Sequence, residues 1–176
     1  MTMIPWETVA ACVKAPPANV QANWPIVYAG LADLGIAQTP VQVAAAATVA
    51  VETGSFKPIK EIRASKERNP KIWELQEKYW QGGYYGRGYI QLTHEANYRE
   101  YGDALGLDLV AHPDLALEPR VAGKILARYF RVRDVDGAAM RRDWRAVRKK
   151  VNGGYHGWDV FFPVVEALGA ATKMGA

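Results

Sequence analysis

Residues 84–93 read Tyr-Tyr-Gly-Arg-Gly-Tyr-Ile-Gln-Leu-Thr, a run rich in tyrosine and glycine that ends in residues of alternating polarity. Alternation with a period of two predicts a short strand with one polar face and one apolar face. The polar positions are Tyr89, Gln91 and Thr93. Gly86 and Gly88 flank Arg87, and glycine lets the backbone take positive φ or approach a ligand closely. The segment therefore predicts a small β-hairpin, which either lines a binding cleft or packs on helices as an aromatic support.

Helical patterns dominate the chain on both sides of this segment. Thr39-Pro40 is a helix-start signal, and the alanine- and valine-rich run that follows through Val51 predicts a helix buried on most sides. Gly54 supplies its stop. Cap signals, among them Thr93 and Asp143, and helical spacing predict further helices over 4–13, 20–34, part of 61–81, 93–105, 119–132, 143–152 and 160–168. The fold class is thus mainly α, an α+β arrangement with one small β-hairpin near its middle.

The chain length of 176 residues suits one domain. We expect a single domain over 1–176, with an N-terminal helical part at 1–38 and a core at 39–170 that contains segment 84–93. Cys12 is the sole cysteine, so an intrachain disulfide is impossible. No secretory signal pattern opens the chain, and no segment reaches the ~18 apolar residues of a membrane span. These features predict synthesis in a cytoplasm, without stable insertion into a membrane.

The net charge of +4 is concentrated in one part of the sequence. Residues 120–150 contain eleven basic and three acidic side chains, a local charge of +8. Such a segment would attract an anionic polymer, whether nucleic acid, acidic membrane or bacterial cell wall. An ordinary solvated helix surface would show the same composition.

Two glutamates could divide acid and base chemistry between them. Glu52 lies in the last turn of the apolar run, where the helix dipole and apolar neighbours both disfavour a charged carboxylate. A carboxyl group that keeps its proton near neutrality can act as a general acid, although a solvated helix-end glutamate is the commoner case. Glu61 lies among cations that favour the charged form, and it could hold an attacking water as general base. Glu67 has a similar setting, so spacing alone does not choose between these two, and both also fit a surface salt-bridge cluster.

Other reaction chemistries find little support. The histidines occur singly, at positions 94, 112 and 156, without the spacing of metal ligands. Cys12 has no neighbouring histidine to activate it. Segment 84–93 also lacks the lysine of a phosphate-binding loop. We therefore expect no metal and no cofactor. Among the anionic polymers that suit the basic segment, nucleic acid is the less favoured one, and no nucleic-acid partner is expected.

Several motifs, in this order, resemble glycoside hydrolase family 19, the chitinases and related phage endolysins. They are Glu52-Thr53-Gly54, segment 84–93, Asn97-Tyr98 and Asn152-Gly153-Gly154. The resemblance implies a mostly α, lysozyme-like domain with a cleft that binds β-1,4-linked amino sugars. It also implies hydrolysis with inversion, for which the two carboxyl groups should lie roughly 6.5 to 9.5 Å apart to admit a water.

The resemblance assigns roles to individual residues. Glu52 matches the family's acid, Glu61 is assigned as the base, and Thr93 matches the residue that helps to hold the nucleophilic water. Substrate-binding positions in the cleft are Tyr85, Arg87, Gln91, Asn97 and Asn152.

Departures from the plant pattern imply a particular branch of the family. Plant chitinases carry His where this chain has Val51, Pro where it has Tyr89, and several disulfides. The differences point to the phage or bacterial branch, with peptidoglycan as the substrate of a monomeric endolysin that is made in the host cytoplasm and released to the wall. The alternatives are a chitinase, a lytic transglycosylase and a non-catalytic wall-binding virion module.

Overall fold

The structure is a computed structural model, and it describes residues 1–173. The helices are α1 (Trp6–Cys12), α2 (Pro17–Asp33), α3 (Thr39–Thr53), α4 (Pro70–Trp80), α5 (Glu95–Leu105), α6 (Pro119–Val132), α7 (Val135–Met140), α8 (Trp144–Asn152) and α9 (Trp158–Ala171). A 3-10 turn covers Pro113–Leu117, and the strands are β1 (Ile59–Lys60) and β2 (Arg87–Gly88). This confirms the predicted mainly α class. The last three residues of the predicted domain lie outside the described part of the chain.

Helix α3 forms the centre of the core. Every residue from position 41 to 50 is buried, and α2, α7, α8 and α9 pack around the helix. Its many alanines lose little side-chain entropy on burial and let neighbouring helices approach closely. Gly54 ends the helix in a left-handed conformation at φ 62°. The fold therefore delivers Glu52 to the rim of the core.

The N-terminal helices belong to the same core. Trp24 of α2 is fully buried, and its Nε1 donates to the carbonyl of Ile4 at 2.7 Å. Helix α2 crosses α6 at a pair of glycines, where a Cβ on Gly30 would lie only 2.6 Å from the carbonyl oxygen of Gly123. The predicted N-terminal part at 1–38 thus packs on the rest of the chain.

The two strands are far apart in the sequence, with residues 61–86 between them. Ile59 lies opposite Gly88 and Lys60 opposite Arg87 in an antiparallel register. The predicted strand at 89–93 is wrong, because residues 89–91 form a turn that reciprocal backbone bonds between Arg87 and Leu92 close at 2.9 and 3.2 Å. The small β element is therefore a pair of distant strands, and it closes a loop that carries α4.

The turn also separates the side chains that were expected to share one surface. Tyr89 points inward and is fully buried, with its hydroxyl donating to Asn23 Oδ1 at 2.7 Å. Gln91 takes a left-handed backbone at φ 53°. This backbone breaks the period of two on which the strand prediction rested.

Most helix signals, by contrast, mark real ends. The bounds of α6 agree with the prediction, and the side chain of Asp143 caps α8 by accepting from the Ala146 N–H at 2.9 Å. Thr93 does not cap α5, since His94 occupies that position and the Thr93 hydroxyl donates to the Gln91 carbonyl at 2.8 Å. Helix α9 begins two residues before the predicted start, and α7 was not predicted. Within residues 1–173 no helix combines the length and apolar character needed to cross a bilayer.

Candidate active site

Thr53 and Gly54 hold the end of α3 and, with it, Glu52. The buried hydroxyl of Thr53 donates to the Val49 carbonyl at 2.8 Å and accepts from the Phe56 N–H at 2.9 Å. These bonds tie the last helical turn to the chain that leaves it. A Glu-Thr-Gly sequence thus places a carboxylate at a fixed helix end, as its position in the motif predicted.

Glu52 forms an ion pair that the sequence did not predict. The Nη1 atom of Arg148, on α8, donates to Glu52 Oε1 at 2.6 Å. The Arg148 side chain is fully buried, and that of Glu52 is 14% exposed. A charge-assisted bond of this kind fixes the carboxyl group firmly. Glu52 Oε2, in contrast, takes no donor from the described part of the protein, so its acceptor positions are unused.

The segment after α8 lies close to this pair. The Nε atom of Arg148 donates to the His156 carbonyl at 2.7 Å. A Cβ added to Gly157 would meet Val51, the neighbour of Glu52, at 2.5 Å. Asn152 is exposed at the end of α8, so the Asn-Gly-Gly motif begins a loop that folds back toward the end of α3.

Glu61 follows β1 and is held by three donors. Its Oε1 accepts from Gln76 Nε2 at 2.9 Å and from the Tyr79 hydroxyl at 2.7 Å. Its Oε2 accepts from the Gly86 N–H at 2.8 Å. A carboxylate offers about four acceptor positions, so roughly one remains, and it is on Oε2. Such a site could accept a hydrogen bond from a water.

Gly86 brings Glu61 and Gln91 together. A Cβ on this glycine would lie 2.7 Å from Gln91 Oε1 and 3.2 Å from Glu61 Oε2. A larger residue here would push the Gln91 amide and the Glu61 carboxylate away, so glycine lets both side chains lie against the backbone. The Gln91 Nε2 group donates to the carbonyls of Ile59 and Gly88 at 3.1 and 3.2 Å.

Glu67 has no comparable surroundings. It is exposed in a turn, and it accepts from the Ser65 hydroxyl at 2.7 Å. That hydrogen bond lowers the pKa of the Glu67 carboxyl group. Of the two glutamates that spacing left open, only Glu61 contacts segment 84–93 within the described residues.

Thr93 and Asn97 continue the group that contains Glu61 and Gln91. Asn97 Nδ2 donates to the Thr93 carbonyl at 2.6 Å, and Thr93 in turn bonds the Gln91 carbonyl. Their donors hold the loop, while the amide oxygens of Gln91 and Asn97 take no donor from residues 1–173. The predicted residues thus fall into one group around Glu61 and a second around Glu52, next to the Asn152 loop.

Tyr85 and Arg87 support segment 84–93, which also contains Gln91. The Tyr85 ring stacks on Trp80 at 4.4 Å between ring centres, and the Arg87 guanidinium lies 4.1 Å from the Tyr85 centre. Because two groups so close to one ring cannot share a face, both faces of Tyr85 are covered. Arg87 is 3% exposed and bonds Asp114 at 2.7 Å. Direct contact of Arg87 with a substrate stays a prediction, and the burial of its side chain argues against it. In the structure Arg87 holds segment 84–93 in shape from the buried side.

The basic segment at 120–150 does not form one charged face. Arg148 is buried against Glu52, while Arg131 pairs with Asp136 at 3.1 Å. Asp134 pairs with Arg141 at 3.2 Å and with Lys150 at 3.4 Å. Some basic residues stay exposed and form no ion pair inside residues 1–173. They include a row of three cations on α6, Arg120, Lys124 and Arg128.

The model of the class I chitinase family, glycoside hydrolase family 19, matches residues 37–136, more than half of the chain. The chain belongs to glycoside hydrolase family 19. The matched range includes Glu52, Glu61 and segment 84–93, and it ends before Arg148 and Asn152. The resemblance that the motifs carried is therefore confirmed at the level of the family.

Relatives in this family match the chain over short stretches. Over 47 residues it is 68% identical to chitinase 11 of rice, Oryza sativa subsp. japonica, a stretch that covers 27% of this chain and 18% of that protein. Over 47 residues it is 51% identical to a protein of Hevea brasiliensis named inactive chitinase-like protein 1, covering 27% and 15%. The chain thus spans less than a fifth of the length of these relatives.

The fold is shared with a solved bacterial structure. Chitinase C from Streptomyces griseus aligns with a TM-score of 0.64 at 21% identity, over 95% of this chain and 93% of that one. The family 19 fold, with its small antiparallel sheet in a helical body, is therefore the fold of this chain.

Proposed function

We propose that this protein hydrolyses β-1,4 bonds between amino sugars of a polysaccharide, with inversion at the anomeric carbon. The observation that carries the proposal is the setting of Glu61, whose Oε1 is saturated by two donors while Oε2 keeps an open position beside Gln91. A carboxylate held in this way is suited to accept a proton from water. In an inverting glycosidase that water attacks the sugar from the face opposite the leaving group.

Glu52 is the proposed general acid. Before each turnover Oε2 takes up a proton, which then passes to the leaving glycosidic oxygen while the attacking water loses a proton to Glu61. Exchange with solvent removes the proton from Glu61 and returns one to Glu52, so the protons balance over the cycle. Arg148 fixes Oε1 at 2.6 Å and stabilises the carboxylate that forms when the proton leaves. The Thr93 hydroxyl donates to the Gln91 carbonyl, which leaves its lone pairs to accept from the attacking water.

Substitution of each glutamate by glutamine tests these roles. Glu52→Gln and Glu61→Gln should each lower kcat by roughly 10²- to 10⁴-fold, the usual contribution of a general acid or base. The matched control is Glu67→Gln, which removes an exposed carboxylate and should leave the rate unchanged. Circular dichroism and thermal unfolding verify the fold. Full activity in folded Glu52→Gln would refute the assignment of Glu52 as the acid. Loss of activity in Glu67→Gln, with activity kept in Glu61→Gln, would mean that Glu67 is the general base.

Two polymers are candidates for the substrate. Peptidoglycan is supported by the net charge of +4 and by the unpaired cations of α6, since the bacterial wall is anionic. In that case the protein acts as an endolysin-type lytic enzyme that reaches the wall after release from the host cytoplasm. Chitin is supported by its family relatives from rice and Streptomyces griseus, which are named chitinases.

Digestion of both polymers separates the candidates. Purified peptidoglycan and colloidal chitin are incubated with equal enzyme, and the new reducing ends and fragment masses are measured. Release of muropeptides with little chitooligosaccharide supports the lytic role, and the reverse supports a chitinase. Anhydro-sugar products would mean a lytic transglycosylase. Binding without any product, unchanged in Glu52→Gln, would leave only a wall-binding module, an outcome that the relative named inactive makes worth testing.

A further inference from the structure

Helix α4 buries a polar residue where a surface helix normally buries apolar ones. Ile72 and Leu75 are 52% and 58% exposed, whereas Gln76 is 3% exposed and is the buried residue of this helix. An amphipathic surface helix usually turns an apolar stripe inward. Burial of an amide costs free energy unless its polar atoms find partners. The partners of Gln76 must therefore explain how α4 is held.

All of these partners lie in the loop that begins at Glu61. Gln76 Oε1 accepts from the Ala64 N–H at 2.7 Å. Gln76 Nε2 donates to the Ile62 carbonyl at 3.0 Å and to Glu61 Oε1 at 2.9 Å. Both amide hydrogens and the amide oxygen are used, so one side chain fixes the loop and the carboxylate together.

Tyr79 reaches the same oxygen from the next turn of α4. Its hydroxyl donates to Glu61 Oε1 at 2.7 Å, and its ring packs edge-on against His94 at 5.2 Å. Burial, and then the Glu61 carboxylate, raise the pKa of the Tyr79 phenol. The group therefore stays a donor throughout the pH range of ordinary enzymes. Two donors on Oε1 leave the open acceptor position of the carboxylate on Oε2.

Further contacts hold α4, and with it the donors Gln76 and Tyr79, in place. Trp80 stacks on Tyr85, and the Arg63 guanidinium lies 5.4 Å from the Trp80 ring and 5.6 Å from the Trp73 ring. Arg63 also pairs with Glu77 of α4. The cation–π contacts and the ion pair of Arg63 join α4 to the loop, and the stack of Trp80 on Tyr85 joins it to segment 84–93.

We propose that Gln76 and Tyr79 are positioning residues. They occupy both acceptor positions of Glu61 Oε1, so that Oε2 is the oxygen that accepts the hydrogen bond of the attacking water. This inference rests on the proposed role of Glu61 as the base. Helix α4 is then part of the catalytic apparatus, although neither residue touches the reacting atoms. A purely structural role is the competing account, and it predicts losses that do not depend on pH.

Tyr79→Phe tests the proposal because it removes one hydroxyl and keeps the ring against His94. The matched control is Tyr28→Phe, which removes a hydroxyl bonded to the Met1 carbonyl. The first measurement is a carbon-13 NMR titration of the glutamate carboxyl groups, with the Glu61 signal assigned from Glu61→Gln. Because the Tyr79 hydroxyl donates to Glu61 Oε1, its loss should move the Glu61 signal's midpoint upward relative to the wild type, with no movement in the control.

The second measurement is the pH profile of kcat/KM. In Tyr79→Phe the acidic limb should move upward in pH with KM unchanged, so that kcat/KM falls on that limb and approaches the wild-type value on the plateau. A second variant, Gln76→Glu, replaces the amide by a near-isosteric group that repels Glu61 when ionised. It should move the acidic limb further in the same direction. Because Gln76→Glu sets a carboxylate oxygen against the Ile62 carbonyl, Tyr79→Phe carries the test alone if Gln76→Glu does not fold.

The outcomes separate this inference from the proposed function. A Glu61 midpoint and a pH profile that stay unchanged in folded variants, or an equal loss of rate at every pH, would overturn the positioning role. A shifted midpoint in a protein that cleaves no polymer would keep the positioning role and refute the proposed function.

Discussion

Glu52 and Arg148 show what can be predicted at the scale of single residues. The apolar run and the glycine stop located Glu52 at a helix end, because both signals are local. Its partner lies 96 positions further along the chain, and there it resembles one more surface cation. Only tertiary packing brings the two side chains together, so the carboxylate could be predicted and its ion pair could not.

The same pair leads to a prediction for stability. Arg148→Met leaves the Glu52 carboxylate, 14% exposed, without a partner, and loss of one member of a buried ion pair costs about 3 to 5 kcal/mol. The double variant Glu52→Gln/Arg148→Met removes both charges and should lose less stability than Arg148→Met alone. Urea unfolding of the wild type, both single variants and the double variant measures the coupling. Strictly additive effects would contradict an energetically coupled pair.

Segment 84–93 shows the limit of prediction at the scale of elements. Most helices were predicted because caps, glycine stops and periodicity are local signals. The strand at 89–93 was wrong because Tyr89 bonds Asn23, 66 positions away, and Gln91 takes a left-handed backbone. The pairing of β1 with β2 across α4 also depends on distant residues. Likewise, the sequence alone does not decide whether Glu61 or Glu67 is the base, since only the pairing of β1 with β2 brings Glu61 to Gly86.

The crossing of α2 and α6 supports a prediction at this scale. Gly30→Ala places a Cβ 2.6 Å from the Gly123 carbonyl oxygen, so the two helices must move apart, at a cost of about 1 to 3 kcal/mol. Gly82→Ala is the matched control, because its Cβ would make only ordinary contacts at 3.6 Å. Urea unfolding should show the loss in the first variant alone. Equal stability of the two would mean that the glycine contact is not needed for the crossing.

At the scale of the whole molecule, one helical core holds the two candidate catalytic groups on different elements. Glu52 is fixed at the end of α3 by Arg148 of α8, and Glu61 is fixed after β1 by α4 and Gly86. The order of the motifs was enough to indicate the family, because the motifs mark these fixed points. How each carboxylate is oriented came only from the structure, through contacts made by Gln76, Tyr79 and Arg148.

The central claim is that these two glutamates hydrolyse a β-1,4 amino-sugar bond with inversion. The most direct test follows the anomeric proton of the new reducing end by proton NMR in the first minutes of digestion, before mutarotation. The account predicts that the α-anomer appears first from the polymer that is cleaved. Initial formation of the β-anomer, or of an anhydro-sugar end with no anomeric hydroxyl, would contradict it.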